Sequence, residues 1–138
     1  MGDGGFQSGR RLGSGGCIVF EEDQCVVRNT WSFSRFFKHE SCGQCSPCRE
    51  GTGWMEKVLH KIESGHGGMA DIDLLWDVQR KIEGNTICPL GDAAAWPVAA
   101  AIRHFRDEFE WHILHPEESQ TRNYGLAHYA DPLQPIVS

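Results

Sequence analysis

Ser41–Arg49 reads SCGQCSPCR, and its three cysteines, Cys42, Cys45 and Cys48, recur at a strict three-residue spacing. A fourth, Cys88, stands directly before Pro89 after an interval of 39 residues. Three thiols on one short loop containing Gly and Pro can converge on a polynuclear centre, and a thiol from a distant loop can close it. That pattern fits an iron–sulfur cubane, in which four irons are held by four cysteine thiolates. In bacterial ferredoxins the last cysteine of a similar run, followed by Pro, ligates a second cluster. Six cysteines in all are too few for two clusters, so the remote Cys88 is expected to complete the first.

Zinc is the main chemical rival. Structural zinc sites usually pair two knuckles, whereas here three cysteines share one run and the fourth has no near partner except the distant His104. A disulfide framework belongs to secreted chains, and Met1-Gly2-Asp3 is not followed by the apolar stretch of a signal peptide. Cys17 and Cys25 fall outside the pattern and read as small buried hydrophobes.

The chain has 138 residues, enough for one real core, and a formal charge of −6 with mixed signs and no basic stripe. That balance argues against a nucleic-acid partner. No apolar run approaches the ~20 residues of a membrane span, so any membrane role is by docking onto other subunits. Five tryptophans and seven phenylalanines are a generous supply, some of it expected to face protein partners.

Outward from the cysteine loop, the pattern is helical. Cys17–Phe20 is expected to be one buried strand of a sheet lying elsewhere. Glu21-Glu22-Asp23 supplies an acidic helix start, and Gln24–Glu40 follows with Val26, Val27, Phe33, Phe36 and Phe37 on one face and Trp31 near its edge. A second helix is expected from Arg49 to about Ser64, ended by Gly65, with Trp54, Val58, Leu59 and Ile62 inward. Met69–Glu83 gives a third, with Asp71 as N-cap, Ile72, Leu75, Trp76, Val78 and Ile82 inward and Gly84 beyond its end. Ala93–Ala95 starts another helical turn, and Pro97 suits the first turn of a helix continuing to about Leu114, its core face formed by Ile102, Phe105, Phe109 and Ile113. The fold class is therefore mainly α, a small four-helix bundle with an iron–sulfur cluster at one end where two loops meet. From Pro116 periodicity stops, and 116–138 reads as an extended C-terminal tail.

At the site, Gly43 lets backbone amides approach sulfur, and Arg49 follows the third ligand directly, placed to donate to cluster sulfur or offset its charge. Pro89 beside Cys88 belongs to the same surroundings. Glu50 and Asp92 read as helix-start acids, and His60, His104 and His112 as surface or packing residues. No residue reads as catalytic, and neither a G-x-G-x-x-G after a strand nor a P-loop is present. Such a chain passes electrons on.

ESCGQCSPCREGT, then TICPLGDAAAWPV and IRHFRDEFE, resemble the C-terminal part of the family of flavoprotein (F-type) subunits of NADH:quinone oxidoreductase, respiratory complex I. The resemblance runs from about Gly13 to Ile113. It implies a helical bundle carrying one [4Fe–4S] cluster on Cys42, Cys45, Cys48 and Cys88. That cluster would take electrons from FMN reduced by NADH and pass them to the iron–sulfur chain of neighbouring peripheral-arm subunits. It also implies 1–22 as the remnant of a ubiquitin-like α+β domain whose last strand is 17–20 and 23–115 as the cluster domain; 116–138, outside the resemblance, is a tail by composition alone. The family's flavin and NADH domain is not in this sequence, which reads as a truncation or a split gene product. The location implied is the cytoplasmic face of the bacterial inner membrane, or the matrix side in mitochondria, peripheral through the complex. Two alternatives stand beside this reading. One is the diaphorase component of an NAD-linked hydrogenase or formate dehydrogenase, the other a zinc-stabilised interaction module.

Overall fold

A computed structural model describes residues 16–21 and 24–117. Four helices follow one another: α1 (Val26–Glu40), α2 (Ser46–Glu63), α3 (Met69–Ile82) and α4 (Pro89–Leu114). They pack as a bundle in which α1 lies on α2 and α4, and α3 fills the opposite side between α2 and α4. The described part is mainly α, as the periodicity implies.

The core is one continuous cluster. Val27 and Trp31 of α1 meet Met55, Leu59 and Ile62 of α2, Ile72, Leu75 and Ile82 of α3, and Ala95, Val98, Ile102 and Phe109 of α4. Burial of this apolar surface, at roughly 25 cal/mol per Å², is the main force holding the bundle. The buried stripes keep helical spacing, but they run partly through small and polar residues. On α1 the stripe is Val27, Thr30, Trp31 and Ser34, with Phe33 and Phe37 half-buried and Phe36 exposed. On α2 it is Cys48, Gly51, Thr52, Met55, Leu59 and Ile62. Trp54, expected inward, is instead 58% exposed. Hydrophobicity picks out the large rings, whereas close approach of helices is set by the small side chains, which turn the rings outward.

Helix ends show the same mixture of agreement and correction. Gly65 and Gly84 lie at φ +80° and +77°, the left-handed turn that Gly alone adopts at little cost after a helix. Gly65 has a further reason, since a Cβ there would lie 2.7 Å from the Pro116 carbonyl oxygen where the end of α4 returns to α2. The first turn of α1 holds no acidic residue and its N-cap is Cys25, so the helix starts beyond the acids expected to open it. The N-cap of α3 is Gly68, and Asp71 acts from three residues inside, its carboxylate accepting from the Gly68 N–H at 2.8 Å. Pro89, not Pro97, opens α4. Pro97 sits inside the helix, forfeiting one backbone donor, and the non-helical residue is Phe105 (φ −132°, ψ 32°). That kink swings Phe105 out of the core face assigned to it, leaving it 44% exposed while Phe109 stays fully buried.

Residues 17–20 form no strand and are exposed, Ile18, Val19 and Cys17 included. A strand needs a ladder partner, and among the described residues no sheet is present to supply one. Cys17 is accordingly not a packing residue, whereas Cys25 is buried as expected. The tail residues 118–138 lie outside the described residues, so the expectation for them has no structural counterpart.

Candidate iron–sulfur centre

The cysteines sit at two helix starts. Cys45 is the N-cap of α2 and Cys48 lies within its first turn, while Cys88 is the N-cap of α4. Both N-cap cysteines have extended backbone and neither side chain caps its helix, which leaves the thiols directed elsewhere and first-turn N–H groups without that partner. Pro47 and Pro89 occupy first-turn positions, where the missing N–H costs nothing. Two helix N-termini therefore bring positive dipole ends to the cysteine loops, the sign that negatively charged thiolates favour.

The first loop is braced by its own side chains. Gly43 turns it at φ +76°. The Arg49 guanidinium reaches back across the loop, donating to the Gly43 carbonyl at 2.9 Å, to Ser46 Oγ at 3.3 Å and to Glu50 Oε1 at 3.1 Å. Arg49 thus ties the turn that presents Cys42 and Cys45. The Ser41 hydroxyl lies 3.2 Å from Cys48 Sγ and accepts from the Gly43 N–H at 3.3 Å, so its proton is free to point at sulfur. Cys48 is buried, Cys45 half-buried, and Cys42 exposed.

The second loop is fastened to α4. Asp92 accepts from the Gly84 N–H at 2.7 Å, Thr86 donates to the Cys88 carbonyl at 2.9 Å, and Trp96 donates to Glu83 at 2.9 Å. Asp92 is therefore a loop fastener as well as a helix-start acid. Thr86 also packs against Gly91, where any Cβ would collide with it. Gly51 admits the end of α3 to the start of α2. The end of α3 at Ile82 lies so close to Gly51, three residues after Cys48, that a Cβ there would fall 2.5 Å from Ile82 Cγ1. The chain leaving Ile82 toward Cys88 thus emerges beside the first turns of α2. Ile87, next to Cys88, is 77% exposed.

The donor set fits a cluster better than a single ion. Zinc with bonds of about 2.3 Å would draw four sulfurs to about 3.8 Å from one another, whereas a cubane gives each thiolate its own iron. Among the described residues, the group of three or more thiol, imidazole and carboxylate ligands lying within 4.8 Å of one another is Cys25, Glu63 and His112, not the loop cysteines. That buried group escapes sequence reasoning, which reads Cys25 as a hydrophobe and His112 as a surface or packing residue. His104 is exposed, and His60 packs against Trp31 with ring centroids 5.1 Å apart.

Residues 28–112 match the family described as the NADH-ubiquinone oxidoreductase-F iron-sulfur binding region. The chain belongs to this family. It is 47% identical over 121 residues to the first F-type NADH-quinone oxidoreductase subunit of Rhizobium meliloti, covering 88% of this chain and 27% of that protein. The corresponding Rickettsia typhi protein is 47% identical over 119 residues, covering 86% and 26%. The chain thus spans about a quarter of the length of these curated relatives. Among solved structures, the NAD+-reducing [NiFe]-hydrogenase in its H2-reduced state superposes with a TM-score of 0.66 at 33% identity, covering 83% of this chain and 21% of that one. The matched region contains all four loop cysteines of this family member, together with Glu63 and His112. No helix among the described residues is long and apolar enough to cross a membrane.

Proposed function

We propose that this family member is a one-electron relay, with Cys42, Cys45, Cys48 and Cys88 holding a single [4Fe–4S] cluster. The observation that carries the reading is the placement of both cysteine loops at neighbouring helix starts, with Ile82 packed on Gly51. When bound, the cluster supplies reversible uptake of one electron. The chain's own residues set the conditions for it. First-turn N–H groups of α2 and α4 and the Ser41 hydroxyl favour negative charge on sulfur, Arg49 holds the first loop in register, and Asp92 and Thr86 hold the second. Gly43 and Pro89 shape the two approaches without contributing a side-chain donor.

In the assembled enzyme, electrons would come from NADH through FMN bound outside these residues. They would continue to the iron–sulfur chain of other peripheral-arm subunits of an NADH:quinone oxidoreductase. The complex would be peripheral at the cytoplasmic face of the inner membrane in bacteria, or on the matrix side in mitochondria. Residues 1–22 would then be the end of a ubiquitin-like domain. The hydrogenase likeness supports a second reading, the diaphorase component of an NAD-linked hydrogenase.

Anaerobic addition of NADH to the assembled complex, followed by low-temperature electron paramagnetic resonance, tests the relay. NADH is expected to raise a spin-half signal that disappears in the Cys88→Ser variant. An unchanged spectrum in that variant would remove this chain's cluster from the path.

A further inference from the structure

The buried group at the other end of the bundle is a donor set of its own. Cys25, Glu63 and His112 come from the N-cap of α1, the last residue of α2 and the last turn of α4. They are 3%, 8% and 1% exposed. Cys25 Sγ lies 2.9 Å from His112 Nε2 and 4.0 Å from Glu63 Oε2, and His112 Nδ1 stands 3.9 Å from the same oxygen. A thiol, an imidazole and a carboxyl gathered away from water are costly unless they are well paired or hold a cation.

Direct hydrogen bonding accounts for only part of the arrangement. An N–H···O bond spans about 2.7–3.2 Å, so Glu63 Oε2 is out of reach of the imidazole nitrogen, and the thiol sulfur is as distant. Yet one donor atom from each residue falls within 4.8 Å of the other two. Arg28 prepares two of them from outside. Its guanidinium takes Glu63 Oε1 at 3.5 Å, which leaves Oε2 toward Cys25 and His112, and its backbone N–H donates to Cys25 Sγ at 3.5 Å. Contacts of this kind orient metal ligands and favour their anionic forms.

We infer that Cys25, Glu63 and His112 bind one zinc ion, a metal site separate from the cysteine loops. Sulfur, nitrogen and oxygen donors are the set zinc accepts, and held tetrahedrally at its usual bond lengths they stand roughly 3.4–3.6 Å apart. The separations of 2.9, 3.9 and 4.0 Å straddle that spacing, so side-chain shifts of about half an ångström seat the ion. Zinc takes the thiolate, the neutral imidazole and the carboxylate, so binding releases the Cys25 proton, and the two anionic ligands balance the ion's charge inside the bundle. Water fills the fourth position, since among the described residues no further thiol, imidazole or carboxylate joins the group. The ion would tie the start of α1 to the far ends of α2 and α4, a structural fastener because its ligands are buried. Along α2, Glu63 stands roughly 20 Å from Cys48 at 1.5 Å per residue, so zinc here and iron on the loop cysteines are counted independently.

The test is elemental analysis of the full, cluster-loaded chain, prepared without oxygen in the presence of zinc chloride and freed of loosely held metal on a chelating resin, together with X-ray absorption at the zinc edge. One zinc per chain is expected beside the iron, with a single sulfur neighbour at about 2.3 Å and nitrogen or oxygen neighbours at about 2.0–2.2 Å. Cys25→Ser is expected to retain less than about a tenth of that zinc with its iron content unchanged. Should that variant fail to fold, the sulfur count around zinc in the wild type decides. A wild type that holds no zinc, or zinc that Cys25→Ser leaves unchanged, would overturn the site. Zinc bound by four sulfurs would place it on the loop cysteines, and zinc bound by nitrogen and oxygen alone would make it an adventitious ion only; either result also overturns the site. The single-sulfur signature without iron would support the site while counting against the cluster.

Discussion

Cys88→Ser is expected to purify with most of its iron lost, whereas Cys17→Ser keeps a full complement. In the proposed centre Cys88 is the one ligand from the second loop, which leaves α3 just after Ile82, the residue packed on Gly51 of α2. A serine oxygen is a harder and poorer ligand than a thiolate for iron–sulfur iron. In that reading, losing one of four ligands would leave one iron without its thiolate, at a position where Cys88 is already exposed. Cys17 is exposed and outside the bundle, so its hydroxyl replacement removes neither packing nor a ligand. Iron and acid-labile sulfide assays on the two variants, prepared side by side without oxygen, check the contrast. Equal iron loss would place Cys17 in the site, and equal retention would remove Cys88 from it.

Phe109→Ala is expected to cost about 3–5 kcal/mol, and to lower the melting temperature by roughly 15 °C or more. Phe109 is fully buried and is the largest such side chain in the core. It lies beyond the kink at Phe105, where α4 has lost helical geometry for one residue, so packing and not helix continuity holds the last turns against the bundle. His112 sits one turn further on, and loosening Phe109 therefore also releases the contact with Cys25. Thermal unfolding followed by circular dichroism measures this. A drop of less than about 5 °C would mean that the distal half of α4 contributes little to the core.

How much of the fold and the site is legible in sequence depends on how local each feature is. Cys42, Cys45 and Cys48 declare their chemistry within seven residues, and Gly65 and Gly84 mark helix ends because the required backbone is one that Gly adopts freely. Helix faces are harder to read. Trp54 and Phe36 look like core residues by hydrophobicity, yet Gly51, Thr52, Thr30 and Ser34 line the contacts because small side chains let helix axes approach. The start of α4 is misjudged at Pro97 for a related reason. A proline signals a boundary locally, but bundle packing carries α4 across it. The Cys25–His112 contact joins residues 87 positions apart, and no periodicity reports on a pair so distant. Arg49 can be assigned to the site by its place in the sequence. Its bond to the Gly43 carbonyl, which makes it a brace of the loop, depends on the turn at φ +76° and exists only in the folded chain.

Whether the four loop cysteines hold a cubane is decided by iron and sulfide per chain on anaerobically prepared protein, with low-temperature electron paramagnetic resonance before and after dithionite. About four irons and four sulfides, silent when oxidised and giving a spin-half signal when reduced, is the expected result. Stoichiometric zinc with no signal in either state would contradict it and make the bundle a structural module.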